Sequence, residues 1–124
     1  LVIGAETLSC FLDWEDRATC VLFGDGAGAV VFSAAEPHTA AAPRGVLATY
    51  LSADGTLAEH LYADGGPSST QTVGKVRMNG KEVFRNAVQE ISNAVLEVTE
   101  RARVKREEID WFVPHQANIR IIEA

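Results

Sequence analysis

The sequence is poor in the residue types that would by themselves define a small specialised protein. Its 124 residues include only two cysteines, Cys10 and Cys20. Two are too few for a disulfide framework, and no Cys-x-x-Cys pair is present, so we expect free thiols and no metal site. The longest apolar runs, such as Ala29–Phe32, extend over a few residues. A membrane-spanning helix needs about 20, so no membrane partner is expected.

Two further features are missing. No basic stretch leads into an apolar segment, so the sequence predicts no secretory signal and a cytoplasmic protein. Excess positive charge is also absent, because 11 basic residues face 17 acidic ones, for a net charge of −6. General nucleic-acid binding is therefore not expected. At 47% hydrophobic and 23% charged residues, the composition is that of a globular protein.

Both ends of the sequence have an internal character. The chain begins with Leu1-Val2-Ile3-Gly4, within a strand-like run, and Ile119–Ala124 continues an apolar helical pattern. Natural termini usually lie in exposed polar segments. We therefore expect the chain to be an internal piece of a longer protein.

Charge is distributed unevenly along the chain. Residues 1–74 carry a net −7, residues 75–106 a net +4 and residues 107–124 a net −3. The positive segment, which we call the basic block, favours an acidic partner despite the total charge. Within it Lys81 and Arg85 stand four residues apart, on one side of a helix; the alternative is that they form an ordinary solvated helix edge.

The apolar pattern predicts strands separated by helix, and hence an α/β fold. A polar loop is expected over residues 59–75 and a turn-rich connection over residues 8–16. The predicted strands are Leu1–Ile3 (buried), Thr19–Phe23, Val30–Phe32, Gly45–Ser52 and Trp111–Val113.

Helix signals are strongest between Gly80 and Arg103. Apolar residues recur there at steps of three and four, which gives one apolar stripe. Asn79 and Glu82 have the spacing of a capping box, so the helix should begin at Gly80. Asn118 is expected to cap a last helix that starts at Ile119.

Gly24–Ala29 has the spacing of a dinucleotide-binding loop. Such a loop normally opens a helix, whereas here the glycines lead into a strand-like run. A sharp bend with close backbone packing is the preferred interpretation. Cys10 and Cys20 lack a helix N-terminus or a nearby cation, so we expect both to be inert packing residues.

His115 follows a predicted strand end, which is where ligands bind in open α/β sheets. An imidazole there can donate a hydrogen bond or move a proton, and the alternative is a structural histidine. His38 and His60 lie in polar connections and are interpreted as surface residues.

Four blocks of sequence together resemble the β-ketoacyl-[acyl-carrier-protein] synthase III family. They are Asp16–Thr19, Phe23–Val30, Met78–Phe84 and Asp110–Arg120, and the last contains Val-Pro-His-Gln-Ala-Asn. The blocks occur in the family's order and span nearly the whole chain. The resemblance implies a partial thiolase-like fold. In it, residues 1–34 are the last strands of the N-terminal half, residues 35–44 a linker, and residues 45–124 the first part of the C-terminal half.

The resemblance also implies a reaction. Members of the family load an acyl group from acyl-CoA onto a cysteine and condense it with malonyl-[acyl-carrier protein], releasing carbon dioxide. They are homodimers and use no cofactor beyond the coenzyme A thioester substrate. The family's constellation is Cys-His-Asn, and His115 matches its histidine; the cysteine is expected before Leu1 and the asparagine after Ala124.

Other site residues carry over in the same way. Arg17 matches the arginine that lies against the CoA adenine, where a planar guanidinium stacks well. The remaining matches are Gly80, Phe84 and Asn118 along the pantetheine channel, Phe23 and Met78 near the acyl pocket, and Lys81, Arg85 and Arg120 facing the carrier protein. Two alternatives stay open: a related acyltransferase or condensing enzyme of secondary metabolism, and a non-catalytic nucleotide- or protein-binding α/β module.

Overall fold

In a computed structural model, the chain is described over residues 1–34 and 45–124. The predicted linker at residues 35–44 lies outside these ranges. The chain divides into two compact units. Unit 1 contains residues 1–35 and 55–83, and unit 2 contains residues 36–54 and 84–124. No helix within the described ranges is long and apolar enough to cross a membrane.

Unit 1 is built on two antiparallel strand pairs. Strand β1 (Val2–Thr7) pairs with β2 (Asp25–Val30) over six residues, and β3 (Leu61–Ala63) pairs with β4 (Val76–Met78) over three. Short 3-10 helices at Leu8–Phe11 and Gly55–His60 complete it. The side chains that unit 1 buries best are Leu12, Thr19 and Val76.

Unit 2 contains most of the long helix α1 (Gly80–Ala102), a 3-10 helix at Arg106–Glu108 and the short helix α2 (Ile119–Ile122). The predicted start of α1 is confirmed, and Asn79 Oδ1 accepts the Glu82 backbone N–H at 3.5 Å. The helix ends one residue before the predicted Arg103, because Arg103 adopts a left-handed φ of 54° that closes the last turn.

The β1–β2 pair corrects two predictions. The glycine-rich segment is not a bend between strands; it is strand β2 itself. The register places Gly4 opposite Gly28 and Ala5 opposite Ala27, so small residues face each other along the ladder. Strand β1 is exposed rather than buried and runs through Gly4 to Thr7. Because β2 opens no helix, the dinucleotide-loop interpretation is wrong.

Thr19–Phe23 is likewise a series of turns and not a strand. The Asp16 carboxylate accepts hydrogen bonds from the Ala18 backbone N–H at 2.9 Å and from Thr19 Oγ1 at 2.7 Å. These local bonds give the backbone an alternative to a strand ladder. The turn-rich connection predicted for residues 8–16 is confirmed.

Strands predicted at Gly45–Ser52 and Trp111–Val113 have no ladder partner among the described residues. Both segments are rich in strand-forming side chains, but a strand is defined by its pairing, and propensity supplies no partner. Of the predicted strand Val30–Phe32, only Val30 lies in β2. The assignment to an α/β fold holds; the division into the two halves of a thiolase fold stays a prediction.

Candidate functional site

The segment Pro114–Asn118 is fixed at both ends by local hydrogen bonds. Gln116 Nε2 donates to the Pro114 carbonyl at 3.0 Å. Asn118 Oδ1 accepts the Arg120 backbone N–H at 3.0 Å, so Asn118 is the N-cap of α2, as predicted. Its carbonyl also accepts from the Ile121 N–H. A side-chain oxygen at the N-cap satisfies an amide that the helix leaves without a partner.

His115 lies between these two anchors and is exposed. Neither ring nitrogen makes a hydrogen bond to any described residue. An imidazole with both nitrogens unengaged can present an N–H donor to a ligand, whereas a structural histidine is normally tied to a carbonyl or carboxylate. The structural alternative for His115 therefore has no hydrogen bond to support it in the described ranges.

Unit 2 also has an apolar cavity of about 660 Å³. One wall is the apolar face of α1, and the opposite residues include Phe112, Pro114 and Ile121. Pro114 connects this cavity to the histidine segment, but His115 itself does not line it. The other predicted site residues of unit 2, namely Phe84, Arg85, Asn118 and Arg120, are also absent from its lining.

The N-terminal end of α1 carries four of the predicted binding residues. Lys81 and Arg85 are exposed and one helical turn apart, while Phe84 is half-buried. At the start of the helix, a Cβ on Gly80 would lie 3.5 Å from Cε of Met78, an ordinary contact distance. Met78 and Gly80 are thus neighbours in unit 1, where Met78 ends β4.

Arg17 stands on a turn of unit 1 that is hydrogen-bonded within itself. The turn extends from Asp13 to Thr19. The Asp16 N–H donates to the Asp13 carbonyl at 3.0 Å, and the Cys20 N–H donates to the Asp16 carbonyl at 3.0 Å. The Thr19 hydroxyl, aided by the Ala18 N–H, lowers the pKa of the Asp16 carboxyl. Thr19 is completely buried. Arg17 is exposed, and its side chain makes no hydrogen bond or ion pair with the described residues.

A second set of polar contacts in unit 1 was not anticipated from the sequence. Arg77 of β4 binds Asp64 through Nε at 2.6 Å and Asp13 through Nη1 at 2.9 Å. The Lys75 backbone N–H and then the Arg77 guanidinium lower the pKa of Asp64, and both carboxylates raise the pKa of Arg77. No sequence pattern could have identified these contacts, because they depend on the pairing of β3 with β4, which continues to Asp64 and Lys75.

Part of the basic block is already neutralised within the chain. Arg77 is paired with two aspartates, and Arg101 binds Glu97 at 2.7 Å and lies 5.0 Å from the centre of the Tyr50 ring. Lys75 Nζ donates to the Leu12 carbonyl at 2.8 Å. The charge that the basic block offers to an external partner is therefore smaller than the sequence count.

The two cysteines and Asp25 lie outside the contacts described so far. Cys10 and Cys20 are both free; Cys10 is exposed, so the packing role predicted for it is wrong, and Cys20 is half-buried. Asp25 accepts from the Ser9 backbone N–H and hydroxyl, each at 2.7 Å, which lowers its pKa and ties β2 to the segment after β1. Within the described ranges, no cluster of histidine, cysteine and acidic residues could hold a metal ion.

The predicted site residues are divided between the two units. Unit 1 carries the residues expected at the CoA and acyl ends of the substrate, and unit 2 carries the residues of the histidine segment with Phe84 and Arg85. Those in unit 1 are Arg17, Phe23, Met78, Gly80 and Lys81, and those in unit 2 are Phe84, Arg85, His115, Asn118 and Arg120.

Comparison with known proteins gives a consistent result over the whole chain. Residues 1–55 match the family model for 3-oxoacyl-[acyl-carrier-protein (ACP)] synthase III, and residues 99–124 match the model for its C terminal part. A β-ketoacyl-[acyl-carrier-protein] synthase III of Brucella suis is 60% identical over all 124 residues. The chain spans 38% of the length of that relative.

Solved structures give the same answer. A β-ketoacyl-[acyl carrier protein] synthase III from Thermus thermophilus superposes with a TM-score of 0.79 at 46% identity, over 98% of this chain and 38% of the other. The 3-oxoacyl-[acyl-carrier-protein] synthase III from Aquifex aeolicus superposes with a TM-score of 0.81 at 49% identity, over 98% of this chain and 36% of the other. The chain has part of the fold of these enzymes, and it belongs to the 3-oxoacyl-[acyl-carrier-protein] synthase III family.

Proposed function

We propose that the protein containing this chain is an acyltransferase of fatty acid biosynthesis that condenses acyl-CoA with malonyl-[acyl-carrier protein]. The acyl group first passes from CoA to a cysteine thiol, which releases free CoA. The malonyl thioester then loses carbon dioxide, and the resulting carbanion attacks the acyl thioester. The cysteine thiolate leaves, and the product is 3-oxoacyl-[acyl-carrier protein]. The cysteine and the asparagine of the family's constellation come from outside this chain.

One observation carries the proposal: a β-ketoacyl-[acyl-carrier-protein] synthase III is 60% identical in an alignment that extends over all 124 residues and so includes the Pro114–Asn118 segment. In that segment the His115 ring is exposed and without a hydrogen bond to described residues. Sequence similarity alone supports the fold and family. The chemistry is supported by the state of this side chain, because a donor must be unengaged before substrate binds.

His115 acts in this mechanism as a neutral hydrogen-bond donor. Loss of carbon dioxide from the malonyl thioester leaves an enolate, whose oxygen carries the developing negative charge. Nε2–H of His115 donates to that oxygen, beside the asparagine amide supplied by the rest of the protein. A donor placed in advance at such an oxyanion lowers the barrier by about 3–4 kcal/mol. Protonation of His115 is not required for this role.

In this proposal the substrate contacts the predicted binding residues. Arg17 stacks its planar guanidinium on the CoA adenine. Gly80, Phe84 and Asn118 border the pantetheine arm. Asn118 Oδ1 is committed to capping α2, so its contribution to the substrate is the amide N–H. Phe23 and Met78 border the acyl chain.

The acidic carrier protein is bound by Lys81, Arg85 and Arg120. All three are exposed, and the first two project one turn apart from the start of α1. Opposite charge on the two partners speeds their encounter and orients them. We further propose that the enzyme is a cytoplasmic homodimer and that the CoA thioester is a substrate rather than a resident cofactor.

The test uses the complete protein encoded with this chain. Incubation with acyl-CoA and malonyl-[acyl-carrier protein] should yield 3-oxoacyl-[acyl-carrier protein] by mass spectrometry, with one CoA and one carbon dioxide released per product. Transfer of the acyl group to another acceptor without decarboxylation would favour the acyltransferase of secondary metabolism. Binding of CoA or carrier with no transfer at all would favour a non-catalytic module.

A further inference from the structure

Arg77 joins three segments of unit 1 that are distant in sequence. Its guanidinium contacts Asp13, 64 residues earlier, and Asp64, 13 residues earlier, with N–O distances of 2.9 and 2.6 Å. A guanidinium carries its donors in a fixed planar fork, so two carboxylates bound to different nitrogens are also held in a fixed relation to each other. Arg77 therefore sets the position of Asp13 relative to the β3–β4 loop.

Lys75 makes a second bond to the same region. Its ammonium donates to the carbonyl of Leu12 at 2.8 Å, and the Leu12 side chain is only 1% exposed. Lys75 also pairs through its backbone with Asp64, in both directions. Two adjacent residues at the beginning of the turn are therefore held. Leu12 is bonded to Lys75, the residue before β4, and Asp13 is bonded to Arg77 of β4.

The turn transmits this placement to Arg17. Asp13 accepts the backbone N–H groups of Glu15 and Asp16, and Asp16 accepts those of Ala18, Thr19 and Cys20. With Thr19 fully buried, each residue flanking Arg17 is held by a hydrogen bond or by burial. A shift of Asp13 would consequently move the backbone of Arg17.

The ion pairs also influence which partner Arg17 meets. Asp13 is four residues from Arg17 and is the acid bound by Arg77 Nη1. Asp16, the adjacent acid, is occupied by Thr19 and Ala18. Asp13 and Asp16 are therefore engaged elsewhere, and the Arg17 guanidinium is exposed.

We infer that Arg77 is a positioning residue for acyl-CoA binding: through Asp13 it fixes the turn at residues 13–19 so that Arg17 is presented to the adenine end of the substrate. The inference rests on the proposed function, since it takes acyl-CoA as the ligand of Arg17. Arg77 itself touches no substrate. Its effect belongs to substrate affinity and not to the chemical steps.

A double-mutant cycle in the complete enzyme tests this. Arg77→Met and Arg17→Ala should each raise KM for acyl-CoA by about tenfold and leave kcat within about twofold, because only the placement of a binding group is lost. The double variant should be no worse than either single one, since Arg77 acts through Arg17. Arg77→Lys keeps a charge but not the fork, and should restore KM in part.

The matched control is Arg101→Met. Arg101 also pairs with a carboxylate, Glu97, and also donates to a distant carbonyl, that of Thr49. It has no connection to the turn, so its loss should leave KM for acyl-CoA unchanged. Additive effects of Arg77→Met and Arg17→Ala would overturn the inference, as would a normal KM in Arg77→Met when Arg17→Ala is impaired. In the second case the proposed function stands.

A measurement that does not depend on activity distinguishes the fixed turn at residues 13–19 from the proposed condensation of acyl-CoA. Trypsin cleaves after Arg17, and the rate of that cut, followed by mass spectrometry, should rise in Arg77→Met but not in Arg101→Met. Asp64→Asn offers the same test in a variant that keeps the packing of Arg77. Unchanged cleavage in both variants overturns the inference. Faster cleavage in an enzyme that never condenses acyl-CoA leaves the fixed turn in place and refutes the proposed function.

Discussion

Asn118 and Arg120 are joined by a hydrogen bond of 3.0 Å from the Arg120 backbone N–H to Asn118 Oδ1. The bond occupies the oxygen of the Asn118 amide and leaves its N–H groups facing away from the cap. The oxygen starts α2, and in the proposed function the nitrogen contacts the substrate, so the two tasks are separable. Aspartate can test this separation, because its side chain has an oxygen to cap α2 but no amide N–H.

Replacing Asn118 by alanine should therefore reduce both stability and substrate affinity. Loss of an N-cap costs about 1 kcal/mol of folding free energy, measured as a lower midpoint of urea unfolding. Asn118→Asp should restore that stability, because a carboxylate caps well at a helix N-terminus, but it should not restore KM for acyl-CoA. Recovery of both properties in Asn118→Asp would assign Asn118 to the cap alone.

His115→Ala should abolish decarboxylation of malonyl-[acyl-carrier protein] and leave transfer of the acyl group from CoA to the cysteine largely intact. Removing one oxyanion donor lowers the affected rate by about 10²- to 10³-fold. Stopped half-reactions measure the two steps separately, and His60→Ala controls for loss of a histidine outside the segment. Equal losses in both half-reactions would contradict the donor role.

Charge reversal at Arg85 and Arg120 should weaken binding of the carrier protein, and the difference from wild type should shrink as salt is raised. Binding is measured by titration of labelled carrier at low and high ionic strength. The double variant Arg103→Glu and Lys105→Glu introduces the same change in net charge at two exposed positions of the basic block that were not assigned to the contact. If both double variants bind equally well or equally poorly, Arg85 and Arg120 have no special place in the contact.

Acid should destabilise unit 1 over the pH range in which Asp64 protonates more readily in the unfolded chain than in the folded one. The pKa of Asp64 is lowered by the Lys75 N–H and by Arg77, from the ordinary 3.8. A lowered folded-state pKa contributes stability above pH 3.8, and this is lost as pH falls through the folded value. Asp64→Asn should flatten the fall of the thermal midpoint between about pH 5 and pH 2, where such carboxylates protonate. Asp110→Asn, at an exposed site outside the cluster, should leave the slope unchanged.

As an isolated polypeptide, the chain should be inactive and poorly stable. Leu51, Trp111 and Val113 are 94%, 85% and 83% exposed, and exposed apolar surface of this extent normally marks a face that another surface covers. We expect strong binding of a hydrophobic dye and concentration-dependent aggregation of the 124-residue chain. Condensation by that chain alone would refute the expectation that the cysteine and asparagine lie outside it.

The sequence predicted features that depend on local chemistry. Helix α1 and the cap at Asn118 follow from periodicity and from a side-chain oxygen beside free amides, so both were predicted closely. The strands were less predictable, because pairing is a property of two segments. Asp25–Val30 forms β2 because β1 pairs with it, with Gly4 and Ala5 opposite Gly28 and Ala27, and Trp111–Val113 pairs with no described residue despite its composition.

The same distinction applies to the candidate site. His115, Arg17 and Asn118 lie in contiguous motifs that a resemblance can identify. Arg77 and its two aspartates are 13 and 64 residues apart, and no local pattern connects them. Such contacts are visible only once the β3–β4 pair is formed.

The bonds from β4 to residues 12 and 13 also impose an order on synthesis. Lys75 and Arg77 emerge from the ribosome 63 and 64 residues after the groups they hold. Closing so long a loop carries an entropic cost that only the completed strand pair offsets. The turn bearing Arg17 should therefore remain unfixed through most of the translation of this chain, and nascent chains halted before position 75 should hold Arg17 in no fixed position.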